Sequence, residues 1–179
     1  MKALKLHKNA LHAIIHNLIL NYWRKTINYM THLKVGDKAP HISAKDQNGN
    51  LIDLKNYKGK KLVLYFYPKD NTPGCTAEAC NLRDNYEMFR KKGYEILGVS
   101  PDSEKSHQKF IEKQKLPFDL ISDPEHKVLK DYGVWGEKKM YGRTYEGVHR
   151  TTFLINEEGI IEDIITKVKT KDHANQILK

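Results

Sequence analysis

No stretch limits this chain's fold more than residues 62–80, which read L-V-L-Y-F-Y-P-K-D-N-T-P-G-C-T-A-E-A-C. Leu62 to Tyr67 form a continuous apolar and aromatic run of strand length. Such a run suits a strand covered on both faces, at the centre of an α/β sheet. A loop holding Pro68, Pro73 and Gly74 follows, then a helix-forming segment that carries both cysteines of the protein, Cys75 and Cys80.

The flanking sequence fits that centre. Ala39–Lys45 and Leu51–Leu54 enclose Asp46-Gln47-Asn48-Gly49-Asn50, and the Asn-Gly pair predicts a β-hairpin ahead of the central strand. Lys58–Lys61 reads as a second turn. After the cysteines, Leu82, Tyr86, Met88 and Phe89, the basic run 90–92 and Gly93 predict one helix ending near Lys92. Strands are expected at 94–100, 118–121, 149–155 and 160–167. Helices are expected from Pro101-Asp102-Ser103, with Phe110 and Ile111 buried, from Ser122-Asp123-Pro124-Glu125 to about Tyr132, and over 171–179. Residues 134–148, rich in glycine and aromatics, read as a loop. Strands alternating with helices, then a final hairpin and helix, predict a three-layer α/β domain with a central mixed β-sheet flanked by helices.

The 179 residues accommodate one ordinary domain and an appendage. Residues 1–29 differ from the rest. They hold Lys2, Lys5, Lys8, Arg24 and Lys25 and no acidic residue, so they supply five of the nine surplus positive charges. Leu11, Ile14, Ile15, Leu18 and Ile19 recur at helical spacing, which allows an amphipathic helix or a loosely attached extension. The compact domain is expected over 30–179, with a start near Met30. His12 and His16 share a helix face but have no acidic or cysteine partner nearby, so a metal site is not expected. No apolar run is long enough to span a bilayer, and no basic face or binding motif points to nucleic acid. With no signal-like core or cleavage site, a cytoplasmic protein is expected.

Two cysteines are too few for a disulfide scaffold. Cys75 falls at the loop–helix junction, where free N–H groups and the helix dipole favour an anion and hence the reactive thiolate. Gly74 lets the backbone approach a small ligand, and Thr72 offers a hydroxyl three residues before the thiol. Two buried, inert cysteines are the alternative. Five residues along a helix rise about 7.5 Å and turn about 140°. That is outside disulfide geometry, so Cys75 and Cys80 can bond only if the helix start unwinds.

Pro68-x-x-x-Thr72-x-x-Cys75 resembles the active-site signature of peroxiredoxins, and the chain closely resembles their bacterioferritin-comigratory, or Q-type, subfamily. The likeness runs from about Leu33 onward. It includes Gly36-Asp37-x-Ala39-Pro40, Phe66-Tyr67-Pro68, Cys75-x-x-x-x-Cys80, Gly133-Val134-Trp135-Gly136-Glu137-Lys138 and His149-Arg150-Thr151. The resemblance implies a thioredoxin-like fold and peroxidase activity on hydrogen peroxide and organic hydroperoxides. Cys75 would be the peroxidatic nucleophile and Cys80 the resolving cysteine. Thr72 would hydrogen-bond the thiolate and orient the peroxide, Arg150 would favour the thiolate and polarise the O–O bond, and Pro68 would shield the site. Thioredoxin or a similar dithiol would be the reductant, no metal or organic cofactor would be needed, and the protein would be a monomer. A dithiol oxidoreductase or redox switch without peroxidase turnover is the rival, weakened by the lack of a C-x-x-C. A non-catalytic binding module on the same scaffold is the third reading.

Overall fold

The computed structural model describes residues 31–140 and 142–179, so the expectations for residues 1–29 lie outside the described residues. Strands β1 (Ser43–Asp46), β2 (Leu51–Asp53), β3 (Lys61–Phe66), β4 (Tyr94–Ser100), β5 (Asp119–Ser122), β8 (Thr151–Ile155) and β9 (Ile161–Ile165) form one sheet in the order β2-β1-β5-β4-β3-β8-β9. β3 lies parallel to β4, and β4 to β5; β8 runs antiparallel to β3 and β9 antiparallel to β8. The sheet is mixed, and its hairpin β1–β2 pairs Ser43 with Asp53 as the Asn48-Gly49 turn predicts.

β3 is the central strand, and its alternation builds two cores. Leu62, Leu64 and Phe66 face one side, with Leu97, Val99, Leu129, Tyr132 and Phe153. Val63, Tyr65 and Tyr67 face the other, with Cys75, Ala79, Leu82, Phe89, Phe110 and Ile177. The second side is covered by α1 (Pro73–Asp84), α2 (Tyr86–Lys91), α3 (Glu104–Gln114) and α5 (His173–Ile177), and the first by α4 (Lys127–Asp131). Gly98 in β4 is required by contact: a Cβ there would fall 2.6 Å from Leu120 and 2.7 Å from the ring of Tyr65.

Three elements differ from expectation. The helix expected to reach Lys92 breaks at Asn85, which ends α1 and precedes α2. The Asn85 amide donates to the Asn81 carbonyl at 2.8 Å, a side-chain bond that competes with the helical backbone. The helix expected from Ser122 starts only at Lys127. Asp123 still caps it, accepting from the Lys127 and Leu129 amides at 2.9 and 2.8 Å. Residues 134–148 are not a loop but a second hairpin, β6 (Trp135–Met140) with β7 (Arg143–Val148), turned at Gly142 with φ +76. Much of β7 is exposed, so no apolar alternation marks it.

Candidate active site

Thr72 is the N-cap residue of α1, Pro73 follows as its first helical residue, and Cys75 lies in the first turn. Proline suits that first position, where no helical partner exists for the N–H it lacks. Cys75 is 2% exposed, so its sulfur sits in the second core at the positive end of the helix.

The loop before it, Pro68–Thr72, is held by a buried polar cluster. The Asp70 carboxylate accepts from the Tyr67 hydroxyl at 2.7 Å, the Ser106 hydroxyl at 2.7 Å and His107 Nδ1 at 2.9 Å. Its own amide donates to Asp102 at 2.9 Å. Burial pushes the Asp70 carboxyl up, but these donors outweigh it and hold it below its ordinary value. Asn71 takes the left-handed conformation, φ 56, to complete the loop. Pro68 is half-buried in the bend after β3.

Arg150, just before β8, reaches the cysteine from the opposite end of the sequence. Its Nη2 lies 3.1 Å from Cys75 Sγ. Its Nη1 contacts Glu78 Oε2, one turn further along α1. Arg150 therefore bridges a sulfur and a carboxylate on the same helix face. Desolvation alone would lower its affinity for a proton; Glu78 and Cys75 more than restore it.

Of the site residues read from the sequence, Arg150 meets Cys75, Thr72 caps the helix three residues ahead of it, and Pro68 lies in the bend before. The Thr72 hydroxyl donates to the Lys69 carbonyl at 3.0 Å, not to the sulfur. Cys80 is half-buried on the same helix, its thiol 3.5 Å from Gln114 Oε1 at the end of α3. Both cysteines are free and α1 is unbroken between them.

Sequence reasoning missed three neighbours. Glu78 is fully buried, and burial pushes its carboxyl up to about 7 against the opposing pull of Arg150. Its i+3 spacing from Cys75 was a usable signal. Lys138, in β6, donates to the Val148 carbonyl at 3.0 Å; burial lowers its pKa, and the Arg150 charge adds to that. His173, in α5, lies 3.7 Å from Glu78 and is itself fully buried. Among the described residues, no group of three His, Cys, Asp or Glu side chains is gathered as a metal would require, and no helix is long and apolar enough to cross a membrane.

This arrangement can do one kind of chemistry well: it can hold a sulfur anion at a helix start and present a guanidinium to whatever that sulfur attacks. The AhpC/TSA family model matches residues 35–164. The chain is 48% identical over 149 residues to the Haemophilus influenzae protein named putative peroxiredoxin bcp, covering 83% of this chain and 96% of the relative. It is 49% identical over 147 residues to the Bacillus subtilis peroxiredoxin Bcp, covering 82% and 94%. Among solved structures it is similar to the Xanthomonas campestris bacterioferritin comigratory protein, with a TM-score of 0.73 and 38% identity over 83% of this chain and 94% of that one.

Proposed function

This chain belongs to the AhpC/TSA family as a peroxiredoxin of the Bcp, or Q-type, kind, and from that premise we propose that Cys75 is its peroxidatic nucleophile and Cys80 its resolving partner. The observation that carries this is the 3.1 Å contact between Arg150 Nη2 and Cys75 Sγ at the start of α1.

The Cys75 thiolate attacks one oxygen of the peroxide. The S–O bond forms as the O–O bond breaks, leaving a sulfenic acid on Cys75. The second oxygen departs with the electron pair, takes up a proton and leaves as water or an alcohol. Arg150 is placed to favour the thiolate and to meet charge developing on the peroxide oxygens. Pro68 and the Thr72 backbone wall the loop side, and the Thr72 hydroxyl turns from the Lys69 carbonyl to the peroxide when one binds.

Resolution requires movement. Across an intact helix the two sulfurs cannot bond. The first two turns of α1 open, the Cys80 thiol condenses with the sulfenic acid, and water is released as the disulfide forms. An external dithiol, thioredoxin or a protein like it, then reduces that disulfide by exchange. Alkyl hydroperoxides are substrates alongside hydrogen peroxide. The X. campestris relative was solved in a study of its alkyl peroxide reduction activity, which favours that breadth. The peroxidase unit is residues 30–179, acting as a cytoplasmic monomer, and residues 1–29 are dispensable for turnover.

The test is a coupled assay: purified protein with thioredoxin, its reductase and NADPH, given hydrogen peroxide or cumene hydroperoxide, with and without residues 1–29. NADPH consumption with both peroxides, unchanged by the truncation, is expected. Disulfide exchange with thioredoxin but no peroxide-dependent NADPH consumption would instead establish the oxidoreductase reading.

A further inference from the structure

Behind Arg150 lies a buried pair that the reaction above leaves unused. Glu78 and His173 are each fully buried, and Glu78 Oε1 lies 3.7 Å from His173 Nε2. Arg150 satisfies Glu78 Oε2, but Glu78 Oε1 has no hydrogen-bond partner among the described residues. An orphaned carboxylate oxygen in a core is costly when charged.

The partners of His173 fix its tautomer. The Lys169 amide donates to Gln176 Oε1 at 2.6 Å, and Gln176 Nε2 donates to the Lys167 carbonyl at 3.1 Å, so Oε1 is an acceptor. His173 Nδ1, 3.2 Å from that oxygen, must carry a hydrogen. Burial holds the ring neutral, lowering its pKa to about 4. His173 Nε2 is then bare, and it accepts from the Thr152 hydroxyl at 2.8 Å. What His173 shows to Glu78 is a lone pair, not a proton.

The consequence runs through Arg150. One guanidinium serves two potential anions, the Glu78 carboxylate and the Cys75 thiolate. A donor on the far side of Glu78 would stabilise the carboxylate, and Arg150's charge would be spent there. We propose that His173 is a positioning residue of the peroxidase site: by offering Glu78 no donor, it disfavours the Glu78 carboxylate and leaves the charge of Arg150 to the Cys75 thiolate. The groups around Glu78 are Arg150 before β8, His173 from α5 and the buried Tyr65 from β3, with Cys75 on its own helix reached through Arg150. Of these, Arg150 is the permanent cation, and it is the one that touches both acids.

The proton balance is simple. Ionising Cys75 while Glu78 is charged moves one proton from the thiol to the carboxyl, with no net change in the site's charge. Nothing is oxidised or reduced in that step. A donor placed at residue 173 would hold the proton on sulfur instead.

This inference rests on Cys75 being the reactive thiol, but its test reads ionisation and not turnover, so its failure is separable from a failure of the peroxidase reading. In the full chain carrying Cys80→Ser, Cys75 is the sole cysteine, and its alkylation by iodoacetamide is followed against pH. His173→Gln sets an amide N–H against Glu78. The alkylation midpoint should rise by roughly half a pH unit or more, which is about threefold slower alkylation on the acid side of the midpoint. In a Glu78→Gln background the same substitution should leave the midpoint in place. A folded His173→Gln protein with an unmoved midpoint overturns the proposal, as does an equal rise in the Glu78→Gln background. If thermal melting shows His173→Gln unfolded, Gln176→Leu carries the test. It removes the acceptor that holds the hydrogen on Nδ1, so the neutral ring can carry an Nε2–H toward Glu78, and the midpoint should move in the same direction; no movement overturns the proposal.

Discussion

Arg150 and Cys75 are separated by 75 positions in the chain, yet Arg150 Nη2 lies 3.1 Å from Cys75 Sγ. The antiparallel pairing of β8 on β3 creates that meeting. Phe66 at the end of β3 pairs with Thr151 at the start of β8, so the residue before β8 and the loop after β3 emerge at the same edge. Replacing the guanidinium with a neutral amide, Arg150→Gln, should slow the reaction of Cys75 with peroxide by roughly 10²–10³-fold, the usual effect of removing one charge-stabilising donor. Arg150→Lys should recover only part of that loss. An ammonium is a point charge and cannot span the sulfur and Glu78 as the planar fork does. Stopped-flow measurement of the bimolecular rate with hydrogen peroxide checks both, and equal rates for Lys and wild type would remove the geometric part of the argument.

The two cysteines should separate into distinct roles. Cys75→Ser should leave no turnover with any reductant. Cys80→Ser should consume one equivalent of peroxide and then stall, with the Cys75 sulfenic acid visible by mass spectrometry. Normal cycling of Cys80→Ser with thioredoxin would show that Cys80 is not the resolving thiol.

Oxidation should melt part of α1. The helix is continuous over Pro73–Asp84 in the dithiol form, and a Cys75–Cys80 bond does not fit it. The residue after Cys80 marks a boundary. Asn81 Oδ1 accepts from the Ala174 amide at 2.7 Å and its amide donates to the Lys171 carbonyl at 3.1 Å, tying the middle of α1 to the start of α5. Amide hydrogen exchange should therefore accelerate over residues 75 to 82 on oxidation and change little beyond. Unchanged protection at 75–80 in the disulfide form would contradict the unwinding step.

How far the sequence carries the site differs from residue to residue. The apolar run 62–67 and the Pro, Gly and Cys that follow are local signals, and β3, the loop and the α1 start lie where those signals put them. Arg150 is visible only through a motif, because no local pattern says that a cation on one strand end will meet a helix start. Glu78 is legible as an acid at i+3 from Cys75, but its burial is not. His173 and the Asp70–His107 pair were not legible at all. They are polar residues made necessary by what packs around them, and burial of that kind is a property of the tertiary fold. The β6–β7 hairpin was missed for a different reason: β7 is largely exposed and each strand holds a glycine, so no fully buried face imposes a period of two.

The buried pair behind Arg150 also fixes how stability should depend on pH. Burial lowers His173 from its ordinary 6.5 to about 4. Between those values the unfolded chain binds a proton there that the folded protein does not, so this group alone makes stability rise with pH. Glu78 is raised from 4.5 to about 7. Between those values the folded protein holds the extra proton, so this group alone makes stability fall as pH rises. From about pH 4.5 to 6.5 the two slopes oppose each other, each about 1.4 kcal/mol per pH unit, and the pair contributes almost no pH dependence. Glu78→Gln removes one side of that balance. Its urea-unfolding free energy should then climb across the window by about 2–3 kcal/mol more than that of the wild type. Parallel pH profiles for the two proteins would mean that the folded protein does not hold the extra proton on Glu78 across that window.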